Sequence, residues 1–403
     1  MRYHTLGRLP AKKHIRFRKP DGTLYTEQLF STRGFSGPMS TLYHENEPTE
    51  VGGFEDAGSV QPVYVEEHAV QHRHLKTGRM DPSGDAISGR RLLMGNQDLE
   101  WHQLVVAEPM SHLYKNADGD EILFVHDGKG TLSSLFGELD FGPGDYLVIP
   151  RGTIWRIDFE SHPVRLVTLV SYGPVEIPRR YRNEFGQILE SAPYTERDLR
   201  APDRLVTPKG RVETTVMIRA RNRHALYTYP YHPFDVVGWD GYTYPFAFQI
   251  RDFQPITGQI HMPPPIHQTF HAGSDHGGFV VCSFCPRMLD THPEAIAIPY
   301  NHSNVDSDEV LYYCNDKFGS RKGIEEGSIT LHPLGIPHGP QPGAVEAAFG
   351  ASRTEELAMM VDTFHPFRLA AAAFEIEDPG YWESWKRGGR PAPATEPNPL
   401  VSE

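Results

Sequence analysis

Asn304-Val-Asp-Ser-Asp-Glu-Val-Leu-Tyr-Tyr313 reads as an acidic turn opening directly onto an apolar strand, and the chain carries the same ten-residue pattern once before. Asn116-Ala-Asp-Gly-Asp-Glu-Ile-Leu-Phe-Val125 aligns with it without a gap. Further along, Gly144-Asp-Tyr-Leu-Val-Ile-Pro-Arg-Gly152 aligns in the same way with Gly327-Ser-Ile-Thr-Leu-His-Pro-Leu-Gly335. A two-part pattern present in each half predicts two copies of one β module. Around these segments, short runs rich in Val, Ile, Leu, Phe and Tyr are broken by turn signals such as Gly-Lys-Gly, Gly-Pro-Gly-Asp and Pro-Arg-Gly, the rhythm of strands joined by tight turns. Helical periodicity is confined to stretches such as Glu355 to Phe364, which suit a strand equally well. The expected fold class is all-β with few helices.

The bulk properties exclude several classes. A chain of 403 residues is long enough for two ordinary cores. Its three cysteines, Cys282, Cys285 and Cys314, are an odd number and suit reduced thiols better than a disulfide framework. Cys282 and Cys285 form a C-x-x-C pair, but inside the apolar run Gly277 to Cys285 they read as buried core thiols. No segment approaches the roughly 20 apolar residues of a membrane span, so a cytoplasmic location is expected. A formal net charge of -13 argues against a nucleic-acid partner, which would need clustered Lys and Arg. The closing residues, rich in Pro, Gly and polar side chains, read as a disordered tail.

The repeated pattern resembles the cupin family, whose members are small antiparallel β-barrels or jelly rolls. The resemblance implies a bicupin: an N-terminal β-sandwich with a degenerate cupin over residues 1–250, a C-terminal jelly-roll cupin over 251–380, and the tail at 381–403. Cupins hold a metal with a histidine, a second polar residue and a glutamate on one motif, and a last histidine on a second. Here His302, Asn304 and Glu309 fit the first motif, while Gly327, Pro333, Gly335 and His338 fit the second. In the first half Glu121 stands where Glu309 does, but Tyr114 and Trp155 take the places of His302 and His338. The resemblance therefore implies a metal-free first barrel and one metal per chain. Two imidazoles and one carboxylate leave open positions, the ligand set of non-haem Fe(II) oxygenases. Asp308 competes with Glu309 as the carboxylate ligand; Glu309 is preferred because it immediately precedes its apolar strand, as Glu121 does.

Over most of its length the sequence also resembles the homogentisate 1,2-dioxygenases. The segments that carry this are Pro20 to Gly37, Ser40 to Pro48, His232 to Phe246 and Leu331 to Pro340. The resemblance implies Fe(II)-dependent opening of an aromatic ring by O2, homogentisate to maleylacetoacetate in tyrosine and phenylalanine catabolism, by a homo-oligomer (trimer or hexamer). It implies His261 as the acid/base, since imidazole has the suitable pKa, and His332 as a residue that orients ligand or substrate. A family tyrosine that holds the acetate arm falls on Phe318, which cannot hydrogen-bond a carboxylate. Tyr312, Tyr313 and Arg321 are the substitutes for that role. A related hydroquinone or gentisate-like substrate, and a non-oxidative metal-dependent cupin (isomerase or hydrolase), stand as alternatives.

Overall fold

The two aligned repeats fold into strands with identical pairing. Glu121 on strand Asp120–Val125 lies opposite Ile149 on Asp145–Ile149, and Glu309 on Asp308–Tyr313 lies opposite His332 on Ser328–His332. Gly144 and Gly152 in the first half, and Gly327 and Gly335 in the second, all have φ between 72° and 88°. That left-handed conformation is open to glycine without strain, so the same turns close at the same points in both halves. The computed structural model describes residues 2–386 apart from 68, 207, 209, 261–266, 274–276 and 322.

Three large sheets form successive layers. A seven-stranded sheet that includes Leu113–Asn116 and Ile154–Phe159 packs on one face of an eight-stranded sheet that includes Leu99–Val106, Asp120–Val125 and Val164–Ser171. The other face of the eight-stranded sheet packs against a second seven-stranded sheet, which holds Phe279–Phe284, Asp308–Tyr313, Ser328–His332 and Ala358–Thr363. All six residues of Asp120–Val125 and of Asp308–Tyr313 are buried, which explains why both read as continuous apolar runs rather than alternating ones. Alternation instead sorts residues between two cores. Leu123 and Val125 face the first barrel with Leu104, Leu147 and Leu166, whereas Ile122 and Phe124 face the second sheet with Phe270, Val310 and Tyr312. Each such side chain contributes roughly 1.5–3 kcal/mol. A one-residue slip would send every one of them to the wrong core, so register is strongly fixed.

The outer face of the second seven-stranded sheet carries Cys282, Leu311, Tyr313, Ala358 and Met360, packed with Phe318. Opposite it, paired structure among the described residues is reduced to Arg287–Met288 against Arg353–Thr354 and an isolated bridge between His302 and His338. This loop-covered second side of the C-terminal jelly roll leaves room for a cavity.

The division at residue 250 is crossed by short strands. Arg73–Lys76 pairs with Ser328–His332, Val175–Glu176 pairs with Gln268–Ala272, and Arg368–Leu369 pairs with Arg91–Gly95. Each covers a sheet edge that would otherwise expose unpaired backbone groups. Glu355 to Phe364 resolves as a strand, Ala358–Thr363, and the α-helices among the described residues are Ala344–Ala347 and Ala371–Glu375. Among the described residues, no helix is long and apolar enough to cross a membrane.

Disorder was expected to begin at residue 381, and there the structure differs. Tyr381–Trp385 is a 3-10 turn with Tyr381 buried. The reason is aromatic packing: Trp385 lies against Tyr381 and against the His72 ring, at 5.2 and 4.8 Å between centroids. Residues 387–403 lie outside the described residues.

Candidate metal centre

Strand register brings the ligand candidates together. The bridge His302–His338, with reciprocal backbone hydrogen bonds of 2.8 and 2.9 Å, sets two imidazoles side by side at 4.4 Å between centroids. Glu309 enters from the sheet, with Oε2 3.4 Å from His302 Nε2 and 3.4 Å from His338 Nε2. The donor atoms of these three residues all lie within 4.8 Å of one another. Metal–nitrogen bonds of about 2.1 Å at right angles separate neighbouring donors by about 3 Å, so the cluster needs little movement to close on a cation. Both histidines donate through Nδ1 to a backbone carbonyl, His302 to Tyr300 O and His338 to Ile336 O, which turns each Nε2 toward the cluster. His338 Nε2 is buried and, beyond its 3.4 Å approach to Glu309, has no hydrogen-bond partner among the described residues. An orphaned, buried imidazole nitrogen facing a carboxylate oxygen is the donor set a divalent cation requires, and the residues fit a metal.

Glu309 is held in place from behind. His332, opposite it in register, donates from Nδ1 to Oε1 at 2.8 Å, leaving Oε2 for the cluster. Burial works against the Glu309 carboxylate, but the imidazoles of His302, His332 and His338 outweigh it and hold its pKa well below the usual range. Hydrogen bonding to Glu309 raises the His302 pKa despite burial, whereas burial drives His332 down to about 3 and keeps it neutral. Asp308 has another task. Its two carboxylate oxygens accept from the backbone N–H groups of Leu334 and Phe367 at 2.8 and 2.7 Å, and it points away from the histidines because neighbours on a strand face opposite sides.

The cluster borders a cavity of about 230 Å³. Phe284, Leu311, Tyr313, Phe318 and Met360 give it apolar walls, and Arg321, Asn304 and Asp362 supply polar ones. Of the residues expected to hold substrate, Tyr313 and Arg321 line this cavity. Tyr312 does not: it faces the eight-stranded sheet, with its hydroxyl 2.9 Å from His126 Nδ1, because an even-numbered position on this strand points to the inter-sheet core. Arg321 donates from Nη1 to Gly339 O at 2.5 Å, and its buried Nε has no partner among the described residues. The expected acid/base, His261, lies outside the described residues. Cys282 lines the cavity and Cys285 Sγ donates to Phe253 O at 3.3 Å; burial raises both thiol pKa values.

Three further residues surround the cluster that motif spacing did not single out. His72 arrives from the segment before Arg73–Lys76, with its ring 5.4 Å from His332 and 6.1 Å from His338. Trp385 covers His72 and also approaches His332, at 6.2 Å. Asp362 sits opposite Glu309 on Ala358–Thr363, and Asn304 reaches both carboxylates. His72 is one of 21 histidines and carries no spacing signal; the aromatic pair Tyr381 and Trp385, four apart, was the readable clue for the C-terminal turn.

The first barrel repeats the geometry without the donors. Tyr114 and Trp155 are Cα partners, as His302 and His338 are, and their rings meet edge to face at 5.5 Å. Opposite them Glu121 accepts from Arg90 Nη1 at 2.5 Å, and the Arg90 guanidinium lies 5.3 Å from the Tyr114 ring centroid. A fixed guanidinium thus neutralises the buried carboxylate where the second barrel offers imidazoles.

The family model described as homogentisate 1,2-dioxygenase N-terminal matches residues 85–250. A protein of Saccharolobus solfataricus whose name makes it a candidate dioxygenase is 41% identical over 95% of this chain and 98% of its own length. The chain belongs to the homogentisate 1,2-dioxygenase family. A homogentisate 1,2-dioxygenase of Rhodopseudomonas palustris strain BisB18 is 27% identical over 94% of this chain and 90% of its own. That of strain BisA53 is 27% identical over 70% of this chain, which spans 64% of its length. A cupin 2 conserved barrel domain protein from Leptotrichia buccalis superposes at 10% identity with a TM-score of 0.33, covering 76% of this chain and all of the other. The paired registers described above, independently of that superposition, make this chain a bicupin. Membership makes the chain an oxidoreductase of the dioxygenase class acting on a small molecule and O2.

Proposed function

We propose that this chain is an Fe(II)-dependent ring-cleaving dioxygenase that opens homogentisate with O2, with His302, Glu309 and His338 holding the iron. The observation that carries the reading is the convergence of three donor atoms within 4.8 Å at the edge of a cavity sized for one aromatic ring. Iron, when bound, supplies the redox chemistry by which both atoms of O2 enter the ring-opened product. The protein supplies the rest. The His332 hydrogen bond fixes the Glu309 carboxylate in one orientation, so no rotamer entropy is lost when the cation arrives. Phe284, Leu311, Phe318 and Met360 exclude water and stack against the ring of the substrate. The unpartnered Nε of Arg321 is the group proposed to meet an acidic side arm, assisted by Tyr313. His261 is proposed to accept the phenolic proton and return it during ring opening.

Phe318 on the cavity wall favours a second substrate, a hydroquinone or gentisate-like aromatic that lacks the acetate arm. By analogy with the family, we further propose that the chain works as a homo-oligomer. Anaerobic reconstitution with Fe(II) and ascorbate, followed by homogentisate, gentisate and hydroquinone in parallel, tests the reading. Stoichiometric O2 uptake and absorbance of a ring-opened product with homogentisate support it. Turnover without O2 consumption, or with zinc in place of iron, defeats it in favour of a non-oxidative cupin.

A further inference from the structure

A second cavity, of about 680 Å³, opens beside strand Leu113–Asn116 and shares no lining residue with the one at the metal centre. Tyr114 points into the first barrel, so its neighbour Lys115 points the other way, into this cavity. Phe30, Tyr242 and Phe246 form aromatic walls, and Arg33, Arg151 and Arg182 join Lys115 as cations. The cavity's two carboxylates are already engaged. Asp120 accepts from Arg151 Nε at 3.3 Å, and Glu176 accepts from Arg33 at 2.7 Å with Arg182 at 3.9 Å. Lys115 pairs with no carboxylate among the described residues, in a chain whose formal net charge is -13. Burial alone lowers its pKa, with no acid acting to raise it. A desolvated ammonium without a counter-charge is costly, and an anion that enters the cavity removes that cost.

We propose that this cavity is a binding site for a small aromatic carboxylate, its carboxylate on Lys115 and its ring between Phe30, Tyr242 and Phe246. Four cations against two carboxylates leave the cavity two charges short of neutral, and its volume falls in the range of small-molecule sites, about 300–1,000 Å³. The site stands independently of the metal centre and of the substrate assigned to it.

Benzoate titrated calorimetrically into the metal-loaded full chain tests the proposal. Saturable binding is expected in wild type and in His302→Ala, which removes a proposed metal ligand. Lys115→Met keeps the methylene stem and should weaken binding at least about tenfold, the loss of one charge-assisted hydrogen bond; Lys115→Arg should retain it. The proposal is overturned if wild type shows no saturable binding, if Lys115→Met binds as wild type does, or if His302→Ala abolishes binding, which would move benzoate to the metal cavity.

Discussion

Replacing Arg90 by Met should unfold the first barrel's interior far more easily, and the size of the effect can be worked from its surroundings. The Arg90 and Glu121 side chains are 8% and 1% exposed and 2.5 Å apart. Removing one partner of a buried pair leaves an uncompensated charge, a cost of about 3–5 kcal/mol. Loss of the cation over the Tyr114 ring adds about 0.5–2 kcal/mol. Asn116 Nδ2, which donates to the same Glu121 oxygen at 3.0 Å, offsets only part of this. The pair itself is poorly satisfied, because Arg90 Nη2 and Glu121 Oε2 are buried without partners among the described residues. Substituting both residues, Arg90→Met with Glu121→Leu, should therefore recover most of the loss, to within about 1 kcal/mol of wild type or beyond it. Urea unfolding of the four proteins of this double-mutant cycle, followed by fluorescence, measures the coupling directly. A single Arg90→Met variant within about 1 kcal/mol of wild type would refute the argument that the guanidinium is the counter-charge of the buried Glu121 carboxylate.

In protein reconstituted with Fe(II), Glu309→Gln should lower bound metal well below the wild-type level by metal analysis, whereas Asp308→Asn should keep the wild-type level and lose about 1–3 kcal/mol of stability through two weakened backbone caps. His332→Phe removes the hydrogen bond to Glu309 and should weaken metal binding by about 10–100-fold in a chelator competition, with folding retained. Trp385→Ala should alter the visible spectrum of the cobalt-substituted protein, since its indole packs on His72 and His332; an unchanged spectrum means that the C-terminal turn does not support the site. Burial opposes the Glu100 carboxylate, but hydrogen bonds from His102 and Arg219 outweigh it and depress its pKa. Its contribution to stability is thus complete above the unfolded carboxylate pKa of about 4.3 and is lost as pH falls below that value. Glu100→Gln should flatten this acid limb in thermal unfolding measured between neutral and acidic pH.

The sequence by itself determined the double module, the order of its turns and the identities of the ligand candidates. These are local facts: acidic turns, left-handed glycines and apolar runs specify strands and where they stop, and a repeat shows that the same solution occurs twice. From the same pattern came the loss of the two aligned imidazoles in the first barrel, since Tyr114 and Trp155 stand in the places of His302 and His338. What only the tertiary structure decided was direction. Tyr312 and Tyr313 are indistinguishable as letters, yet strand alternation sends the first to the inter-sheet core and the second to the cavity. Asp308 and Glu309 are likewise adjacent, and only the packing of Leu334 and Phe367 around Asp308 gives it a structural task. Arg90, His72 and Trp385 reach their sites across 31, 266 and 47 residues of chain, counted to Glu121, His338 and His338 (121 - 90, 338 - 72, 385 - 338). No spacing rule spans such separations, because they are set by which sheet edges happen to need covering.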